Sequence, residues 1–175
     1  MVTEPFHLSL VQTDAQLLAD CEVHTYRASG PGGQKRNKIE SAVRLRHLPT
    51  AVTAVATESR SQHDNRRVAL RRLREAIAVR VRTPVDLAHW VPPAPFLSAV
   101  QAGGRIRLRD DNPNYPIVVA TILNVLAASN GRVSDAARFL NLSTHHLTQF
   151  LSEHPPIWQE VNRLRAQFGL TPLRG

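Results

Sequence analysis

The residues best suited to chemistry form one run, Arg27-Ala28-Ser29-Gly30-Pro31-Gly32-Gly33-Gln34. Gly32 and Gly33 carry no Cβ, so their backbone can adopt unusual torsions and approach another molecule closely. Gln34 adds a backbone N–H and a neutral amide. An amide is not a general base at neutral pH, so its work is orientation, hydrogen bonding and exclusion. Backbone N–H groups in such a loop suit the oxyanion that develops when an acyl carbonyl is hydrolysed. One such donor is worth about 2.7–4 kcal/mol where bulk water is kept out. Just downstream stand Lys35, Arg36 and Lys38. Lys35 and Lys38 are the only lysines of the chain, against 20 arginines. Flexible point charges beside a loop can meet closely spaced phosphates.

Charge is concentrated in the same region. The 175-residue chain has a formal net charge of +8, yet residues 21–82 alone hold 14 basic and 5 acidic side chains, and the remainder is −1. A basic block of this kind suits a polyanion, most simply nucleic acid, because each neutralised phosphate releases counterions. Arg60, Arg66, Arg67, Arg71 and Arg72 make a second basic patch downstream, with Glu58, Asp64 and Glu75 as competing ion-pair partners. His47 and His63 have no Ser or Cys nucleophile with a matching acid beside them. They read as structural or RNA-facing groups. His145 and His146 are adjacent, so they point to different helix faces, and no third ligand accompanies them. Neither a metal nor a cofactor is expected.

Other features narrow the class. A single cysteine, Cys21, excludes an internal disulfide and a cysteine-based zinc site. No apolar run approaches the roughly 20 residues of a membrane span. The N-terminus carries Glu4 and no early basic residue, unlike a signal peptide. The expected location is cytoplasmic.

The elements that must position the run follow from periodicity. A short helix is expected over 14–19 and a strand over 21–28, then the glycine-rich loop. Val43, Leu45 and His47 alternate with Arg44 and Arg46, which predicts a half-buried strand over 42–48. Pro49-Thr50 turns the chain into a second strand over 51–58. Ser61 stands three residues before Asp64, the spacing of a capping box, ahead of a helix to about Arg80. Val68, Ala69, Leu73, Ala76 and Ile77 make its expected apolar face. Residues 83–116 are rich in proline and read as a linker with at most a short element inside it. Four short helices are expected over 117–128, 133–140, 144–151 and 157–167, with Asn130-Gly131 between the first two and Ser143 as a cap.

The glycine run does not stand alone. Asn37, Ser41-Ala42-Val43-Arg44, His47, Pro49-Thr50 and Arg60-Ser61-Gln62 follow it in order, ahead of the arginine-rich helix. This succession, over about residues 21–80, resembles the catalytic domain of class I peptide chain release factors and their shorter ribosome-rescue relatives. The resemblance implies an α+β fold: a small mixed β-sheet packed by the arginine-rich helix. It implies that Gly32, Gly33 and Gln34 enter the ribosomal peptidyl transferase centre, where the glutamine helps admit water against the terminal adenosine of the tRNA. The partners would be large-subunit rRNA and P-site peptidyl-tRNA. Gln34 would also be a candidate for N5-methylation by a dedicated methyltransferase. Arg27, Lys35, Arg36, Lys38, Arg60, Arg66, Arg67 and Arg71 are the expected RNA contacts.

Several features depart from that family. Codon-reading release factors are much longer, so stop-codon selectivity is not expected. Compact rescue hydrolases end in a basic tail, whereas only Arg174 is basic after Arg165 here. The family commonly has glycine where Pro49-Thr50-Ala51 places alanine. Residues 131–151 look like a helix-turn-helix packed through Ala136, Ala137, Leu140, Leu142, Leu147 and Leu151. Its second helix has no Lys or Arg, which favours docking on a ribosome, tRNA or protein, or a structural cap, over reading DNA.

The expected organisation is therefore a catalytic domain over 1–82, a linker over 83–116 and a small all-α, helix-turn-helix-like domain over 117–175. The expected activity is codon-independent hydrolysis of peptidyl-tRNA by a monomer. The rival readings are a non-catalytic ribosome-binding or RNA-binding factor and a DNA-binding regulator that uses the C-terminal helices.

Overall fold

The computed structural model describes residues 6–27 and 40–174. The chain divides into two compact units, one of residues 11–77 and one of residues up to Leu10 together with those from Ala78 onward.

The 11–77 unit is an α+β layer. Helix α1 (Asp14–Ala19) opens on a capping box the sequence reading passed over: Thr13 Oγ1 accepts from the Gln16 N–H, and Gln16 Oε1 accepts from the Thr13 N–H. Strands β1 (Cys21–Tyr26), β2 (Ala42–His47) and β3 (Thr53–Ala56) form a sheet in that order, and both pairings are antiparallel. Tyr26 pairs with Ala42, so the chain leaves β1 and re-enters β2 at one end of the sheet. Val43, Leu45 and His47 are buried, while Arg44 and Arg46 face out, as the alternation requires.

Helix α2 (Gln62–Arg80) is tied to the sheet by Asn65 at the Ser41 carbonyl and Arg72 at the Val55 carbonyl. Its buried stripe is Asn65, Ala69, Leu70, Leu73, Ile77 and Ala78, and Val68 and Ala76 are only half-buried. The face is therefore rotated slightly from the expected one, because Asn65 is drawn inward by hydrogen bonds that an apolarity count does not see. Ser61 Oγ accepts from the Asp64 N–H at 3.2 Å, as a cap should. The return arm of the box is relayed: the Ser61 N–H donates to Ser59 Oγ, which donates to Asp64 Oδ2.

In the other unit, residues 83–116 hold more regular structure than a linker. They form helix α3 (Ala94–Ala99) and a hairpin of β4 (Val100–Gln101) and β5 (Arg105–Ile106). Phe96 and Ala99 are buried, and α3 packs on α4. Phe6 and Leu10 are buried too. Phe6 and Leu10, like Phe96 and Ala99, thus belong to the unit that holds the helices from Tyr115 onward. Helix α4 (Tyr115–Ala128) is buried from Tyr115 to Leu126 and is the centre of the unit. Around it lie α5 (Val133–Phe139), α6 (Thr144–Ser152) and α7 (Pro155–Gln167), close to the four expected helices. Ser143 caps α6 through the His146 N–H, and Asn130 and Gly131 turn the chain with positive φ. Ala136, Ala137, Leu140, Leu142, Leu147 and Leu151 are all buried, the packing of a helix-turn-helix.

Candidate nucleic-acid interface

Gly32, Gly33, Gln34, Lys35, Arg36 and Lys38 lie outside the described residues. What the structure does describe is the root from which their segment departs and to which it returns. Arg27 and Glu40, one on each side, are exposed and form an ion pair at 3.4 Å. The first turn of α2 holds the returning chain: Gln62 Nε2 donates to the Glu40 carbonyl and Asn65 Nδ2 to the Ser41 carbonyl, the latter at 2.6 Å. Asn65 also donates to the Ser59 carbonyl at 2.8 Å and accepts from the Ser59 N–H at 2.9 Å. Its fully buried carboxamide thus ties β2, the β3–α2 connection and α2 together. All its strong hydrogen-bonding groups are used, which is how a buried amide becomes tolerable.

The expected cations differ in how free they are. Arg60 and Arg67 are exposed and form no ion pair with the described residues. Arg71 is exposed and 3.8 Å from Glu75, a spacing that leaves it available in water. Arg66 is half-buried, with its Nε buried and without a hydrogen-bond partner among the described residues. Arg72 is instead committed to the fold, donating to the Val55 carbonyl and pairing with Glu58 at 2.7 Å. The Arg72 hydrogen bond holds the Glu58 carboxyl below the usual carboxylate range. Arg74 is likewise spent on Asp14 and the Gln12 carbonyl, joining α2 to α1.

The histidines part company. His47 is fully buried, with Nδ1 2.7 Å from Thr50 Oγ1, and so serves the β2–β3 turn. His63 is exposed on the first turn of α2. Burial, and then Asp20, push the Cys21 thiol up, the opposite of what a thiolate nucleophile needs. Ala51 has φ +57°, so this turn does take the left-handed conformation in which glycine is preferred.

The outward face of the sheet carries a feature beyond the expected contacts. His24, Thr25, Tyr26, Arg44, Arg46 and Thr53 line a shallow groove of about 590 Å³. The Arg44 guanidinium sits over the Tyr26 ring at 5.4 Å, and Arg46 pairs with Glu22 at 3.1 Å. The available signal was the alternation of Arg44 and Arg46 with buried residues. For Asn65 it was a lone amide on the apolar face of a helix.

Comparison with known proteins places this geometry. The RF-1 domain family matches residues 15–86. Peptide chain release factor 2 of Acidovorax sp. (strain JS42) is 52 % identical over 59 residues, which is 34 % of this chain and 16 % of that protein. Peptide chain release factor 1 of Albidiferax ferrireducens is 55 % identical over 53 residues, 30 % of this chain and 14 % of its own length. That of Acidiphilium cryptum is 48 % identical over 64 residues, 37 % and 18 % respectively. Residues 15–86 are thus a domain of the class I release factor family, the one that carries the Gly-Gly-Gln loop. The matched segments span less than a fifth of these relatives. No helix among the described residues is long and apolar enough to cross a membrane, and no group of three His, Cys, Asp or Glu among them could hold a metal ion.

Proposed function

We propose that the protein hydrolyses peptidyl-tRNA on the ribosome, independently of a stop codon, and so frees nascent chains from stalled complexes in the cytoplasm. The observation that carries this reading is the loop root. A release-factor-type domain holds residues 27 and 40–41 by an ion pair and by side-chain hydrogen bonds from α2, and the Gly-Gly-Gln sequence lies between them.

In this reading Gly32 and Gly33 bring the backbone against the tRNA terminus. The Gln34 backbone N–H faces the developing oxyanion, and its amide orients the attacking water. Proton transfer belongs to the water and the RNA, because the amide does not titrate. Arg27, Lys35, Arg36, Lys38, Arg60, Arg66, Arg67 and Arg71 meet phosphates of large-subunit rRNA and the tRNA. Gln34 is the substrate of a glutamine methyltransferase, and the protein acts as a monomer. The catalytic domain lies within residues 1–82, and the rest of the chain serves docking.

The test is release of labelled peptide from ribosomes stalled on an mRNA that leaves the decoding site empty. Gly33→Ala abolishes release by obstructing the backbone, and Gln34→Ala slows it by orders of magnitude. Release by Gly33→Ala at the wild-type rate would overturn the mechanism. Ribosome binding without release by the wild type would establish the non-catalytic alternative.

A further inference from the structure

The second helix of the helix-turn-helix lacks cations of its own, but the fold supplies them from elsewhere. Strand β5 packs against α6. The Arg105 guanidinium lies against His146 of α6, with Nε and Nη2 at 3.3 and 3.2 Å from His146 Nε2. Gly104 seats the hairpin on the turn between α5 and α6. A Cβ there would meet the Asn141 carbonyl oxygen at 3.1 Å and the Leu142 Cα and Ser143 nitrogen at 3.2 Å. The hairpin therefore flanks α6 as a wing.

Along the wing, Arg105 and Arg107 are exposed and Ile106 and Leu108 half-buried, the alternation of an extended chain. Neither Arg105 nor Arg107 has a carboxylate partner among the described residues, whereas Arg109 is paired with Asp111 at 3.0 Å. Two uncompensated guanidinium groups thus stand beside an α6 surface on which Thr144, His145, Gln149 and Ser152 are exposed.

We infer that this wing and helix form a second nucleic-acid site whose ligand is double-stranded RNA. Uncompensated guanidinium groups fit phosphates. Reading bases in the DNA major groove calls for several bidentate side chains on the inserted helix, and α6 itself offers only Gln149. Hydroxyl, imidazole and amide groups instead suit the wide, shallow minor groove of an A-form duplex, where 2′-hydroxyls offer donors and acceptors. The inference does not depend on peptide release.

The test is fluorescence anisotropy with an RNA duplex of about 20 base pairs, long enough for a shape-reading module. The DNA duplex of the same sequence is titrated in parallel. The full chain is used in a Lys35→Ala/Arg36→Ala/Lys38→Ala/Arg60→Ala/Arg67→Ala/Arg71→Ala background, so that the cations expected to meet RNA in the other unit do not dominate. The RNA duplex binds about tenfold more tightly than DNA. Arg105→Gln/Arg107→Gln weakens RNA binding about tenfold and lowers the salt slope by about two, as expected for two lost phosphate contacts. Arg105→Lys/Arg107→Lys restores most of it. His145→Ala/Gln149→Ala keeps the salt slope but binds RNA no better than DNA. Arg107→Gln alone, whose side chain has no partner among the described residues, gives about half the loss and guards against misfolding of the double variant. RNA affinity unchanged by the arginine substitutions, or DNA bound as tightly as RNA by the parent, would overturn the inference.

Discussion

Replacing Asn65 by alanine is the most direct test of how the loop root is held. The side chain makes three hydrogen bonds of 2.6, 2.8 and 2.9 Å, to the Ser41 carbonyl and to both backbone groups of Ser59, in a fully buried setting. Each is worth about 0.5–1.5 kcal/mol, and orphaning buried partners adds to the loss, so Asn65→Ala costs about 2–4 kcal/mol. Asn65→Asp is no remedy. It keeps an acceptor for the Ser59 N–H but turns an oxygen toward two carbonyls. Both tryptophans, Trp90 and Trp158, lie in the other unit, so fluorescence reports the wrong place. Amide hydrogen exchange reports the right one: the Ser59 N–H and the β2 amides lose protection by the equivalent of about 2–4 kcal/mol. Ser59 protection unchanged in Asn65→Ala, or a loss below about 0.5 kcal/mol, would refute the claim that this amide anchors the loop root.

Other perturbations follow from particular residues. Ala51→Gly relieves a left-handed torsion worth about 1–2 kcal/mol, offset in part by glycine's freedom in the unfolded chain, so the melting midpoint rises by a net effect of about 0.5–1 kcal/mol; a fall would refute the assignment of strain. Gly104→Ala presses a methyl on the α5–α6 turn and costs about 1–3 kcal/mol. Gly103→Ala, which has positive φ but open space around it, costs less, and equal losses by tryptophan-monitored denaturation would remove the wing contact from the account. Glu58 has its carboxyl lowered by the Arg72 hydrogen bond. Its contribution is therefore present above the ordinary value of 4.5 and is lost as pH falls through the lowered value in the folded state. Glu58→Gln flattens the acid limb of a stability profile slightly, since the pair is exposed.

Much of the local structure was legible along the chain because it rests on short-range order. The glycine run and its basic neighbours need only adjacency. The alternation over Val43–His47 and the turn signals at Pro49-Thr50, Asn130-Gly131 and Ser143 act over a few residues. Each therefore located its element within a residue or two, and the resemblance pointed to Ala51, where the family commonly has glycine, at a turn position that does have φ +57°.

What only tertiary structure decided were the allegiances of groups far apart in sequence. Arg72 and Arg67 look alike in one basic helix, yet one is spent on Val55 and Glu58 and the other has no ion pair among the described residues. Asn65 became the anchor of Ser41, 24 residues away. A stretch that reads as a proline-rich linker delivered Arg105 to His146, 41 residues on, giving α6 the charge its own sequence lacks. Local patterns carry torsional preference and the sense of burial. Which charge stays free depends on which carbonyl or carboxylate the folded chain brings within about 3 Å, and that distance is set by packing.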